Sequence, residues 1–190
     1  AHLALPAPDG PGGDHAVNRV VIAPRGTTTN RNEHAGALAA AMASSRICER
    51  MDVKLLAMTT EDEAVAVEAI NLLAARSATP PPTLHRPMLA EASSLLRPSD
   101  YAITSRFHVG LIANRFGNGW CALDSGHKMR SFALDCGVPT FAETATGLQQ
   151  ALASAPSRQT IRPDVPPASM FAPVHQLVDE FLDQARRRAG

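Results

Sequence analysis

The 190-residue sequence predicts a three-layer α/β domain of Rossmann-like type, a mostly parallel sheet with helices on both faces. Two observations carry that expectation. Short apolar or β-branched runs recur along the chain, each followed by a loop and then by a longer stretch of helical period. The best of these runs are apolar throughout rather than alternating, which suits strands buried on both faces. The 45% hydrophobic content and a length for one sizeable domain allow a core that needs neither disulfides nor a structural metal.

Each element follows from its residues. RVVIA at 19–23 is a strand, 24–30 a polar loop, and the Ala-rich stretch 33–50 a helix. DVKLLAM at 52–58 repeats the theme, after which Thr60, with Glu63 three positions on, caps a helix running to about residue 76. Prolines force a loop over 79–82, a short third strand is expected at 83–86, and a short helix at 88–96 is stopped by Pro98. Residues 100–104 supply a strand that runs straight into a helix over about 105–116, ended by Gly117 and Gly119. Then come a strand at 120–123, a helix at 128–136 ended by Gly137, a short strand at 138–141 and a helix at 142–154.

Three regions result. Residues 1–18, with PAPDGPGG inside them, read as a flexible leader or interdomain linker, 19–155 as the Rossmann-like domain, and 156–190 as a proline-bearing connector with a closing helix at 174–188. Arg186, Arg187 and Arg188 stand at the negative end of that helix's dipole.

Composition excludes several classes. Eighteen Lys and Arg balance eighteen Asp and Glu, so no global field steers the chain to nucleic acid or to an anionic membrane, and at 4% aromatic residues base stacking is poorly served. No apolar run reaches the length of a membrane span. Cys48, Cys121 and Cys136 are odd in number and form no C-x-x-C pair, which points to a reducing cytoplasm. His34, His85 and His175 lack ligand spacing, so no metal site is expected. The chain has no G-x-G-x-x-G, no P-loop and no G-x-S-x-G elbow.

In an open parallel sheet, ligands sit beyond the carboxyl ends of the strands. Three such places carry chemistry here: Arg25 to Asn30, Ser105 to His108, and Asp124 to Lys128. The run Thr104-Ser105-Arg106-Phe107-His108 puts a hydroxyl, a guanidinium and an imidazole at a helix N-terminus, whose N–H groups already favour anions. Arg offers a fork to carboxylate or phosphate, and His a proton near neutral pH. The same residue types equally suit a capping Ser105, a surface Arg106 and a satisfied His108. An Arg106 that serves a ligand would be truncated with little loss of stability, whereas a packed one would not. Asp124 either orients a ligand or caps the next helix, and His127 reads as surface.

The stretch 100–139, DYAITSRFHVGLIANRFGNGWCALDSGHKMRSFALDCGVP, resembles the C-terminal segment of the polysaccharide pyruvyl transferase family. Its marks are Arg106 and His108 at a helix start, a strand at 120–123, Lys128 before a helix, and Gly137 with Pro139 closing it. RVVIAPRG at 19–26 is similar to the opening strand of the same domain, with Arg25 just after it. The resemblance implies the C-terminal half of a GT-B-like fold. It further implies transfer of a pyruvyl group from phosphoenolpyruvate, as a donor substrate rather than a cofactor, to a sugar of a glycan, forming a ketal. Arg25, Arg106 and His108 would hold the donor, with Lys128 a further contact, and His108 would be the catalytic acid or a contact to the leaving phosphate. The family's N-terminal domain has no counterpart in these residues, so the other wall of the cleft would come from a missing domain or a partner chain. A nucleotide-sugar glycosyltransferase half and a non-catalytic interaction domain are the competing expectations.

Overall fold

The computed structural model describes residues 18–27, 29–76, 80–87, 95–96, 100–115 and 118–155. The leader at 1–17, the connector and closing helix at 156–190, and most of the helix expected at 88–96 lie outside the described residues. Strands β1 (Arg19–Ala23), β2 (Asp52–Leu56), β3 (Thr83–His85), β4 (Asp100–Thr104), β5 (Gly119–Leu123) and β6 (Thr140–Phe141) form one sheet in the order β3-β2-β1-β4-β5-β6. Every neighbouring pair is parallel. Helices α1 (Arg31–Ser45), α2 (Ile47–Arg50), α3 (Thr60–Ala74), α4 (Phe107–Arg115), α5 (His127–Asp135) and α6 (Ala145–Ser154) complete the described part. The α/β Rossmann-like architecture read from the sequence is the one observed.

Period-two alternation divides the strand side chains between two cores. Val20, Ile22, Leu55 and Ile103 pack with α1, α3 and α6, whereas Val21, Ala23, Leu56 and Ala102 pack with α4 and α5. Ile22, Leu55 and Ile103 lie side by side in register and are wholly buried. Burying each such side chain contributes about 1.5–3 kcal/mol. Helices therefore cover both faces. The chain builds outward from β1 to β3 in one direction and from β4 to β6 in the other, so the carboxyl ends of β1 and β4 flank the point where the order reverses.

Ion pairs tie both ends of that central strand pair. At the amino edge, Arg19 donates from Nε to Asp100 Oδ1 (2.9 Å) and from Nη2 to the Leu95 carbonyl (2.6 Å). The carboxyl edge has its own pair, described below.

Several expected boundaries move, each for a local reason. The helix expected at 33–50 breaks at Arg46, which adopts φ 50°, while Ser44 and Ser45 turn their hydroxyls back onto the Ala40 and Met42 carbonyls. Thr59, not Thr60, caps α3, accepting from the Asp62 N–H at 3.3 Å. The second long helix ends at Ala74, and the third strand at His85. Helix α4 starts at Phe107 rather than 105, because Thr104 Oγ1 accepts the Arg106 N–H (2.8 Å) and holds Ser105 and Arg106 in a turn. Gly119 opens β5 instead of closing a helix, α5 runs from His127 to Asp135, and the last strand shortens to Thr140–Phe141. Helix α6 starts at Ala145, not 142, since Thr144 caps the Gly147 N–H (3.2 Å). A Cβ on Gly147 would stand 2.1 Å from the Ala142 carbonyl oxygen, so the turn at 142–144 folds tightly under the helix.

Two glycine substitutions separate packing from propensity. A Cβ on Gly26 would sit 2.1 Å from the Glu61 carbonyl oxygen, while one on Gly36 in α1 meets nothing within 4 Å. Gly36→Ala is expected to raise stability by about 0.5–1 kcal/mol. Gly26→Ala is expected to lower it by about 1–3 kcal/mol or more through overpacking. Urea denaturation of the two variants checks both signs.

Candidate functional site

Helix α3 begins beside the loop after β1, and its Asp62 is wholly buried. A carboxylate removed from water must be met by donors. Asp62 Oδ1 accepts the Gly26 N–H (2.8 Å), and Oδ2 accepts the Met58 N–H (3.2 Å). Arg106 supplies the countercharge, donating from Nε to Oδ2 (2.8 Å) and from Nη2 to Oδ1 and to Thr59 Oγ1 (3.1 Å). The loops after β1, β2 and β4 are thus joined through one carboxylate at the switch point. Only 23% of the Arg106 side chain is exposed. The fork that the sequence reading assigned to a ligand is engaged by Asp62, and Arg106 has the surroundings of a packed arginine.

His108 stands in the first turn of α4 and Lys128 in the first turn of α5. Lys128 Nζ lies 4.2 Å from the centre of the Phe107 ring, which meets His108 on one side and Phe132 on the other edge to face. Phe132 in turn stacks on Trp120, so the cations stand on an aromatic column rooted in β5. Much of His108 is open to solvent, yet its protein-facing side is desolvated. That desolvation, followed by the Lys128 and Arg106 charges, lowers its pKa from the ordinary value. The three residues singled out from the sequence do come together electrostatically. Its surroundings thus favour the neutral imidazole over the charged one.

Arg25, just after β1, is exposed and donates from Nη1 to the Ser125 carbonyl (3.0 Å). Ser125 donates from its hydroxyl to the Ser105 carbonyl (2.7 Å), joining the loops after β1, β4 and β5. Ser105 is buried and lies before the helix rather than inside it. Asp124 accepts from the Gly126 N–H (3.3 Å) and pairs with Arg130 (2.8 Å), so it is occupied in holding the turn before α5. His127 is exposed.

Two further residues join this edge, His34, weighed from the sequence only as a metal ligand, and Glu143, which the sequence did not single out. His34 of α1 holds the Arg25 carbonyl through Nδ1 (3.0 Å) and meets Asn30 Nδ2 through Nε2 (3.0 Å). Glu143, in the tight turn after β6, lies beside the Ser105 hydroxyl, the Arg25 N–H and the His34 ring. Desolvation raises its pKa, and these neighbours, which favour the charged form, only partly offset that. The rule that ligands gather after strands would have found Glu143 had the last helix not been expected to start at 142.

Other chemistry recedes. Burial pushes the Cys121 and Cys136 thiols up to about 12, so neither is a thiolate at neutral pH. Among the described residues no group of three His, Cys, Asp or Glu is set to hold a metal ion, and no helix is long and apolar enough to cross a membrane.

No protein-family model and no curated protein matches the chain. Solved structures do. A Listeria monocytogenes protein assigned as a UDP-N-acetylglucosamine 2-epimerase superposes with a TM-score of 0.54 at 17% identity, covering 77% of this chain and 41% of its own. S. aureus MnaA, solved with UDP, also gives 0.54, at 14% identity over 73% of this chain and 37% of its own. The likeness shows a GT-B-like fold, and the chain spans about two fifths of the length of these structures.

Truncating Arg106 leaves the buried Asp62 charge without its partner. Arg106→Ala is therefore expected to lower stability by about 3–5 kcal/mol. Asp62→Ala should cost a comparable amount, with a coupling of about 0.5–3 kcal/mol in a double-mutant cycle read by urea denaturation.

Proposed function

We propose that this chain is the donor-binding half of a GT-B-like pyruvyltransferase, holding phosphoenolpyruvate for transfer of its pyruvyl group to a sugar of a glycan. The observation that carries this reading is the gathering of Arg106, His108 and Lys128 at the starts of α4 and α5, where desolvation first, and then the charges of Lys128 and Arg106, lower the imidazole pKa. A cation cluster at helix N-termini, beyond the carboxyl edge of a parallel sheet, suits a small ligand with both phosphate and carboxylate. No cofactor is part of the scheme.

The residues divide the work. Lys128 and Arg25 receive the anionic groups, while Arg106, paired with Asp62, holds the turn that presents His108. His108 enters neutral, and a bound multi-anion raises its pKa, so that it takes up the proton it later gives to the donor's methylene carbon. The carbon bearing the carboxylate becomes oxocarbenium-like, a sugar hydroxyl attacks it, phosphate leaves with its bonding electrons, and a second hydroxyl closes the ketal. A further domain or a partner chain forms the opposite wall of the cleft.

The likeness to MnaA, solved with UDP, favours a second reading in which the ligand is a nucleotide sugar. Thermal melting separates the two: phosphoenolpyruvate should stabilise the chain and UDP should not, and the reverse result selects the nucleotide sugar. Lys128→Ala should weaken phosphoenolpyruvate binding roughly 10- to 100-fold, the loss of one charged hydrogen bond of about 1.5–3 kcal/mol.

The sign of the pH dependence follows from linkage. His108 has a lowered pKa in the free protein, and the ligand prefers its protonated form, so binding takes up a proton. Affinity should weaken as pH rises through the pKa of the bound state. NMR of the His108 ring with and without phosphoenolpyruvate measures this, and a pKa that stays put or falls on binding contradicts the assignment.

A further inference from the structure

The peptide group that joins Arg25 to Gly26 is held from both sides. Its N–H donates to the buried Asp62 carboxylate at 2.8 Å, and its carbonyl accepts from His34 Nδ1 at 3.0 Å. A carbonyl oxygen only accepts, so Nδ1 carries the ring hydrogen and Nε2 is left as an acceptor. Asn30 meets that acceptor with its amide nitrogen Nδ2, also at 3.0 Å. Both ring nitrogens are thus engaged, one by the backbone after β1 and one by the residue that precedes α1.

The same chain of bonds returns to the loop it started from. Asn30 Oδ1 accepts from the Thr27 hydroxyl, which spends its one hydrogen there, so in the contact between the Thr27 and Thr29 hydroxyls (3.2 Å) Thr29 is the donor. Thr27 therefore decides which way the Asn30 amide points, and the amide decides which nitrogen of His34 is protonated. An asparagine before a helix ordinarily accepts from the N–H groups of the first turn. Asn30 makes no such side-chain bond, and α1 forgoes its cap while the side chain serves the ring.

At Arg25 this clamp has a directional consequence. The peptide plane after it is fixed at donor and acceptor alike, and Gly26 packs so closely on Glu61 that an added Cβ would lie 2.1 Å from the carbonyl oxygen. Little backbone rotation is left, and the backbone sets the direction in which the side chain departs. The guanidinium reaches across to the loop after β5, where Nη1 donates to the Ser125 carbonyl (3.0 Å), three residues before Lys128. A long exposed side chain has many rotamers to lose on binding, so an anion contact made from a fixed backbone keeps more of its affinity.

We propose that His34 is a positioning residue of the anion site: its Nδ1–H on the Arg25 carbonyl fixes the backbone from which the Arg25 guanidinium is presented at the loop before α5, and Asn30 selects the tautomer that makes this bond. The identity of the anion rests on the pyruvyl-transfer reading, whereas the positioning of Arg25 stands without it. His34 itself does not touch the ligand.

Two substitutions in the full chain separate the two nitrogens of the ring. Asn carries its amide on Cγ, as the ring carries Nδ1, and Gln carries it one carbon further out, as the ring carries Nε2. His34→Asn thus keeps a donor for the Arg25 carbonyl and loses the Asn30 contact, whereas His34→Gln keeps a partner for Asn30 and loses that donor. In the free protein, NMR relaxation of the Arg25 Nε–H signal reads the order of the guanidinium. The signal should stay as ordered as the parent's in His34→Asn and move toward the level of exposed Arg31 in His34→Gln.

Calorimetry with phosphoenolpyruvate gives the second readout. Affinity should be kept in His34→Asn and fall roughly three- to tenfold in His34→Gln, the worth of one neutral hydrogen bond. In an Arg25→Ala background His34→Gln should cost nothing more, because the histidine acts only through that side chain. A purely structural histidine would lower the melting temperature of both variants and leave Arg25 order and affinity unmoved. That result, or equal losses in the two variants, overturns the proposal. If phosphoenolpyruvate does not bind the parent, the donor reading falls and the relaxation data decide alone: order that is kept by Asn and lost with Gln supports the positioning role, and order indifferent to either overturns it.

Discussion

A buried carboxylate with a single charged partner organises the carboxyl edge of this sheet. Asp62 is wholly excluded from solvent, and its charge is tolerable only because Arg106 and two backbone N–H groups reach it. Those donors come from the loops after β1, β2 and β4, segments distant in sequence. The backbone of the loop after β1 comes close enough to the start of α3 that only a glycine fits at position 26. Remove the ion pair and the turn that presents His108 keeps its Thr104 and Ser125 hydrogen bonds but loses its tie to α3.

Much of this was legible in the sequence and some was not, for separable reasons. Apolar runs such as RVVIA and YAIT announce doubly buried strands because both faces of the sheet are covered, and the strand-helix alternation follows from them. Helix starts were misplaced by one to three residues where neighbouring residues compete to cap or turn the chain. Thr59 rather than Thr60 caps α3, with Asp62 bonded to Gly26 and Arg106, an arrangement invisible without knowing that the start of α3 ends up beside the loops after β1 and β4. Arg106, His108 and Lys128 stood out by residue type and by a family resemblance, and they do gather. What that reading could not give is the state of Arg106, because a guanidinium at a helix start looks the same whether its fork faces a ligand or an aspartate in another helix.

The edge that results is electrically graded. Arg106 is neutralised locally by Asp62, whereas Lys128 and Arg25 stand at this edge outside that pair, with His108 beside Lys128. Across the same edge, Glu143 is held in a desolvated turn. Fold alone would not distinguish this from other chemistry on the same scaffold.

The most direct measurement is a crystal structure of the chain grown with phosphoenolpyruvate. The ligand is expected at the first turns of α4 and α5, its phosphate or carboxylate within hydrogen-bond distance of Lys128 and Arg25, with Arg106 still on Asp62. A ligand found away from this edge, or one that reaches its place only after Arg106 has left Asp62, would contradict the view that the ion pair is the fixed base on which the site is built.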